Sequence, residues 1–187
     1  MIYSSYQSLN LSDPKESAIL DEKIKRAVAV GRECNVKVYI DDYVEKACQF
    51  GAYGVHLGME DLETANLSLI KEANIHLGVS THNVYEMLKA LYLSPSYIAL
   101  GHVFDTTTKK MKSRAQGVQK LSYEVSLLNN SIANCAIGGI NLTNIHDVLA
   151  SKVDSIALVS AVTKASDPIL AAKNIMQIIK DHKCKDI

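Results

Sequence analysis

The chain has 187 residues, 48% hydrophobic and 21% charged, and its 20 Lys and Arg balance 20 Asp and Glu. That is length enough for one domain with a sizeable core, and the balance argues against the basic footprint of a nucleic-acid or membrane-surface binder. No apolar run approaches the roughly 20 residues of a spanning helix, and MIYSSYQSLN at the start lacks a signal peptide's cationic and apolar regions. Cys34, Cys48, Cys135 and Cys184 show no CxxC or His-linked spacing. They read as reduced packing thiols in a cytoplasmic protein.

In chain order, apolar strand-like runs alternate with amphipathic helical stretches. KVYI leads to the helix YVEKACQFG. GVHLG leads to LETANLSLIKEA, IHLGVS to NVYEMLKALYL, and YIALGHVF to a Thr/Lys loop and then VQKLSYEVSLLNN. ANCAIGG leads to LTNIHDVLAS, and SIALVSAV to PILAAKNIMQIIKDHK. The strands are short and continuously apolar, which suits parallel strands buried on both faces. The strand-to-strand period of roughly 20 residues argues for an α/β barrel or a doubly wound sheet. No linker, charge block or low-complexity tract divides the chain, so residues 1–187 are expected to form a single domain.

The polar residues gather where strands end. KVYI ends in Asp41 and Asp42, GVHLG runs into Glu60 and Asp61, and LGVS ends in Ser80, Thr81 and His82. YIALG meets His102 and the Thr/Lys loop, AIGG supplies Gly138 and Gly139, and SIALVS ends in Ser160. The connections leading back into strands are bland. In barrels the loops after strands carry chemistry and those before them carry stability. A GxGxxG turn is absent, so a nucleotide-binding open sheet is the weaker choice.

Asp42 and Asp61 lie one strand–helix unit apart, so the two carboxylates can converge on adjacent strand tips. Two such oxygens suit Mg²⁺, which keeps waters and is shared with substrate phosphates; equally, each Asp could cap the helix that follows. The Gly138–Gly139 pair would let backbone N–H groups approach an anion, with Ser160 one unit later, in the last two strand-end loops, where barrels commonly dock phosphate. Thr106, Thr107 and Thr108 offer hydroxyls and Lys109 a point charge. The segment from Asp105 to Gly117 reads as a flap. Lys110 and Lys112 read as solvated. His56, inside a strand, reads as a packed and satisfied core residue. His82 and His102 stand at strand ends as candidate acid/base groups, and His76, His146 and His182 carry no constellation.

Together IDDYVEKACQFGAYGVHLGMED, LGVSTHN, YIALGHVFDTTTKK, AIGGIN and ALVSAV resemble the thiamine phosphate synthase family over about residues 31 to 175. The resemblance implies a (β/α)8 TIM-type barrel. It implies a transferase that condenses a hydroxymethylpyrimidine diphosphate with a thiazole phosphate and releases pyrophosphate. Asp42 and Asp61 would bind the Mg²⁺ that carries the diphosphate. Asp41, Ser80 and Lys109 would face that substrate, with Ser80 and Lys109 as the catalytic pair. Thr106, Thr107, Thr108, Gly139, Val159 and Ser160 would hold the thiazole phosphate. Pyrophosphate would leave first, a pyrimidine methylene cation would form, and the thiazole nitrogen would capture it. The implied partners are these two substrates, with no nucleic acid and no membrane, and oligomeric state stays open, a homo-oligomer included.

Three departures from the family pattern stand out. YQSLNLSDPKES occupies the place of a Gln-x-Arg-x-Lys-like diphosphate clamp, with Lys15 as the nearest cation. At roughly 1.5–3 kcal/mol per charge-assisted bond, losing the clamp would cost a few kcal/mol of binding. Asp41 stands where the family usually has Asn, and Met59 where it often has Gln. About seven strands can be counted, so the first strand–helix unit of the barrel is expected to be missing, with IYSSYQSLNL as the family's second strand. Two alternatives stand beside the synthase: a thiazole tautomerase, a related barrel, using His102 as its acid/base group, and, from the absent clamp, a degenerate, non-catalytic binder of thiazole phosphate or thiamine phosphate.

Overall fold

The computed structural model describes residues 2–3, 12–108 and 113–184. Among them are seven strands: β1 (Ile2–Tyr3), β2 (Tyr39–Asp41), β3 (Gly54–Leu57), β4 (His76–Thr81), β5 (Tyr97–Gly101), β6 (Asn134–Ile137) and β7 (Ser155–Ala157). The helices are α1 (Pro14–Glu33), α2 (Val44–Gln49), α3 (Met59–Leu62), α4 (Leu67–Glu72), α5 (Val84–Tyr92), α6 (Gly117–Leu128), α7 (Ile145–Ala150), α8 (Ser160–Thr163) and α9 (Pro168–Lys183). Their alternation gives the expected α/β class. Internal contacts divide the chain into two compact units, one of Met1–Ser80 with Leu88–Tyr97, the other of Thr81–Met87 with Ile98–Ile187.

In the first unit β1, β2, β3 and β4 pair in parallel in chain order, with Tyr39 opposite Gly54 and Gly54 opposite His76. All four residues of β3 are buried, which is why the run GVHL does not alternate. The core joins Leu20, Ile24 and Val28 of α1 to Ile40, Val55 and Leu57 of the strands. Each of these side chains is at most 5% exposed, and full burial of one aliphatic side chain is worth about 1.5–3 kcal/mol. In the second unit β5, β6 and β7 pair in parallel, with Ala99 opposite Cys135 and Ala136 opposite Ile156. Leu100, Leu121, Leu128, Ile145 and Val148 are buried there.

Helix α1 is the main addition to the sequence reading. Asp13 caps it, its carboxylate accepting from the Lys15 N–H at 2.8 Å, and Pro14 opens it. Lys46 on α2 reaches back to Asp21 and to the Ser17 hydroxyl. The stretch LETANLSLIKEA is not one helix. Asn66 accepts from the Leu69 N–H at 3.1 Å and starts α4 afresh, which separates it from α3. Of the stretch IYSSYQSLNL, Ile2 and Tyr3 pair with β2, and the remainder lies outside the described residues. The four cysteines are free thiols. No helix among the described residues is long and apolar enough to cross a membrane.

Gly31 lies inside α1, where Ala would ordinarily gain about 1 kcal/mol in helix propensity. Here a β-carbon would stand 2.3 Å from Val38 Cγ2 and 2.9 Å from the Val36 carbonyl. Overpacking of that kind costs about 1–3 kcal/mol and wins. Gly31→Ala should therefore lower the urea midpoint of unfolding, and a rise in the midpoint would show that the α1 turn has room to spare.

Candidate active site

The first unit places three candidates around one buried histidine. Asp41 ends β2 opposite His56 of β3. Asp42 follows with φ 71°, a left-handed conformation that Asp tolerates better than most residues, and its N–H donates to the His56 carbonyl at 3.0 Å. The His56 ring is 4% exposed, with Nε2 2.8 Å from Ser80 Oγ and Nδ1 2.7 Å from the Tyr97 hydroxyl. His56 is thus the packed, satisfied residue expected, and it holds Ser80 at the exit of β4.

Neither metal candidate is a helix N-cap. Tyr43 holds that position for α2, and Gly58 holds it for α3. Asp61 lies within the first turn of α3, and a β-carbon on Gly58 would come 2.9 Å from its Oδ2, so its carboxylate folds back toward the exit of β3. No cluster of three or more His, Cys, Asp or Glu side chains among the described residues could hold a metal. Two carboxylates without a third protein ligand do not suit a closed zinc site. A hard cation that completes its shell with waters and substrate oxygens would need no third protein ligand.

In the second unit the Thr loop is tied to the glycine pair. Val103 N–H donates to the Ile137 carbonyl at 2.9 Å, and Phe104 N–H to the Gly138 carbonyl at 3.0 Å. Gly138 has φ 101° and Gly139 φ 65°. A β-carbon on Gly138 would lie 2.3 Å from His102 Cβ, and one on Gly139 would lie 2.5 Å from the Asp105 carbonyl oxygen. The far end of the loop returns to the same place: Gln116 N–H donates to the His102 carbonyl at 3.0 Å, and Gly117 N–H to the Val103 carbonyl at 2.9 Å. Thr106 Oγ1 accepts from the Thr108 N–H at 3.2 Å, and Thr107 is exposed between them. Lys109, Lys110 and Lys112 lie outside the described residues. Strand β7 stops at Ala157, so Val159 and Ser160 lie beyond it, as the N-cap and first residue of α8.

A polar cluster beneath this loop escaped the sequence reading. Gln116 Nε2 donates to Glu124 Oε2 at 3.0 Å, and Glu124, inside α6, is 1% exposed. Lys120 donates to the His82 carbonyl at 2.9 Å and stands 3.9 Å from Glu124 Oε1. The His82 ring and its N–H both bond Glu86. Burial pushes the Glu124 carboxyl above the usual range, against the pull of Lys120 and Gln116. Burial also pushes the His102 imidazole down, with His82 adding to the effect; its Nδ1 has no hydrogen-bond partner among the described residues. A Glu in a helical pattern reads as a solvated position, so only the fold reveals this one.

The family model described as thiamine monophosphate synthase matches residues 8–162. The chain belongs to the thiamine monophosphate synthase family. A thiamine-phosphate synthase of Photorhabdus laumondii is 44% identical over 177 residues, 95% of this chain and 81% of the relative. That of Klebsiella pneumoniae is 48% identical over 159 residues, 85% of this chain and 74% of the relative. Thiamine phosphate pyrophosphorylase from Pyrococcus furiosus has a similar structure, with a TM-score of 0.77 and 32% identity over 88% of this chain and 78% of that one. Orotidine 5'-phosphate decarboxylase from Pyrococcus horikoshii shares the fold alone, with a TM-score of 0.63 and 17% identity over 87% of this chain and 83% of that one. The fold of this family member is the TIM-type α/β class expected from the sequence.

Glu124 Oε1 and Gln116 Oε1 both lack hydrogen-bond partners among the described residues. Glu124→Gln would remove the buried charge and keep an oxygen to accept from Gln116 Nε2. The substitution gives up only a 3.9 Å ion pair with Lys120, whose ammonium already bonds the His82 carbonyl. A carboxyl whose affinity for protons is raised by folding stabilises at low pH and loses that contribution as pH rises. Glu124→Gln should therefore gain stability at pH 7–8, on the order of 1 kcal/mol, the scale for relieving one imperfectly paired buried polar group. The gain should vanish as the acid becomes protonated toward pH 4. Urea unfolding across that range checks the sign; a variant less stable at pH 8 would contradict it.

Proposed function

We propose that this synthase-family chain joins a hydroxymethylpyrimidine diphosphate to a thiazole phosphate, giving thiamine phosphate and pyrophosphate. The observation that carries the reading is family membership, together with the strand-end residues present in the sequence. The C–O bond between the pyrimidine methylene and the diphosphate breaks, and its electron pair leaves with pyrophosphate. The thiazole nitrogen then gives its lone pair to the methylene carbon. No proton must be removed for the new C–N bond, so no nucleophile–base pair is demanded.

On this reading Asp42 and Asp61 would hold Mg²⁺, which when bound neutralises charge on the diphosphate. Asp41 and Ser80 would contact the pyrimidine diphosphate, and Lys109 would add a positive charge to the leaving group. Thr106, Thr107, Thr108, Gly139, Val159 and Ser160 would hold the thiazole phosphate through hydroxyls and backbone. The free thiols suit the reducing cytoplasm.

The test is pyrophosphate release from the purified chain given both substrates and Mg²⁺. Asp42→Ala should lower kcat by roughly 100-fold or more, the scale for losing one group that stabilises developing charge, and a chelator should abolish turnover. Equal product formation without metal would sink the Mg²⁺ assignment. The residues YQSLNLSDPKES in place of the cationic clamp favour a second reading, a binder of the thiazole phosphate alone. Calorimetry that finds tight binding of the monophosphate, none of the diphosphate, and no turnover would select it.

A further inference from the structure

Ser80 is joined to a tyrosine that no motif brought forward. The chain runs from Tyr97 Oη to His56 Nδ1 at 2.7 Å and from His56 Nε2 to Ser80 Oγ at 2.8 Å. The Tyr97 and His56 rings stack, with centroids 5.6 Å apart and planes 19° from parallel. The stack exists because Gly78, opposite His56 in the β3–β4 pairing, has no side chain. A β-carbon there would stand 2.2 Å from Tyr97 Cε1.

A neutral imidazole carries one N–H, so this chain of bonds can run in one of two directions. If Tyr97 donates to Nδ1, Nε2–H donates to Ser80 and the serine proton is left to point at a ligand. In the reverse direction Ser80 gives its proton to Nε2 and shows a ligand only lone pairs. A phenol is far more acidic than an aliphatic hydroxyl and is the better donor to an imidazole nitrogen. That difference favours the first direction. The diphosphate oxygens carry lone pairs and negative charge, so the first direction attracts them and the second repels them.

We propose that Tyr97 and His56 are positioning residues that fix Ser80 as a hydrogen-bond donor toward an oxygen of the diphosphate substrate. This rests on the reading of Ser80 as a contact to that substrate. Tyr97 sets the histidine tautomer, and the tautomer sets the sense of the serine hydroxyl. Burial of His56, 4% exposed, keeps water from competing for either ring nitrogen.

Two measurements on the full chain test it. Nitrogen-15 NMR of the histidine rings should show His56 as the Nε2–H tautomer in the unsubstituted protein, a result that needs no variant to fold. Calorimetry with the pyrimidine diphosphate and Mg²⁺ should show Ser80→Ala and Tyr97→Phe each weakening binding about tenfold, the scale of one hydrogen bond. The double variant should be no weaker than Ser80→Ala alone, and affinity for the thiazole phosphate should not change. An Nδ1–H tautomer, or losses that add in the double variant, would overturn the relay while leaving Ser80 as a substrate contact. Unchanged diphosphate binding in Ser80→Ala would overturn both.

Discussion

The threonine loop is placed by two missing β-carbons. At Gly138 and Gly139 the backbone turns with φ 101° and 65°, and the segment leaving β5 lies directly against it. His102, Phe104 and Asp105 occupy the space that side chains at 138 and 139 would need. The ladder between β5 and β6 then continues past β5, through the Val103 and Phe104 N–H groups. Any larger residue would break these bonds or push the loop outward, because the nearest atoms are mostly backbone and cannot rotate away. The feature read from sequence as an anion-binding turn is therefore also the foundation of the neighbouring loop. The lack of side chains at 138 and 139 is what admits the loop.

The first unit solves a different problem with the same device. Strand β3 is buried throughout, yet it carries His56, which stacks on the Tyr97 ring. Gly54 admits the Tyr39 ring and Gly78 the Tyr97 ring; a β-carbon on either would come within 2.6 Å of the tyrosine it faces. The tyrosines meet edge to face at 5.1 Å, a favourable aromatic arrangement. Burial pushes the Tyr39 hydroxyl up to about 12, so it stays neutral at any physiological pH. A polar group inside such a layer costs free energy unless paired, and His56 is paired through both ring nitrogens. That pairing fixes the ring, and the ring fixes the serine at the strand exit.

The legible parts of the sequence were those where one physical rule acts alone. Short, continuous apolar runs mark strands covered on both faces, and GVHL, YIALG and NCAI fall on β3, β5 and β6. Helix α1 is harder to read because charged residues interrupt its narrow apolar stripe. The signal was present in Asp13-Pro14 as a start and in Leu20, Ile24 and Val28 at four-residue spacing. The break between α3 and α4 turned on a single Asn66 cap inside an otherwise helical pattern. At the site, residues defined by backbone position or motif could be named from spacing. Glu124, Gln116 and Tyr97 could not. Their roles come from partners 8 to 41 residues away in the chain, and such pairings have no local signature.

The balance of charge constrains how a diphosphate could bind. Lys46 is engaged by Asp21 and Ser17, and Lys120 by the His82 carbonyl. Lys15 sits in the first turn of α1 beside its capping Asp13. The stretch YQSLNLSDPKES contributes no arginine, and Asp41 and Asp42 stand side by side as carboxylates. A diphosphate bound near Asp41, Asp42 and Asp61 would meet three carboxylates, with Lys109 as the cation the proposal sets against them. Like charges a few ångströms apart repel by several kcal/mol even at an effective dielectric of about 20. Within the proposal, a divalent cation between the carboxylates and the substrate would therefore serve diphosphate binding as well as drawing off pyrophosphate. Binding and activation would share one ion, so affinity for the diphosphate would rise and fall with the metal even where no turnover occurs.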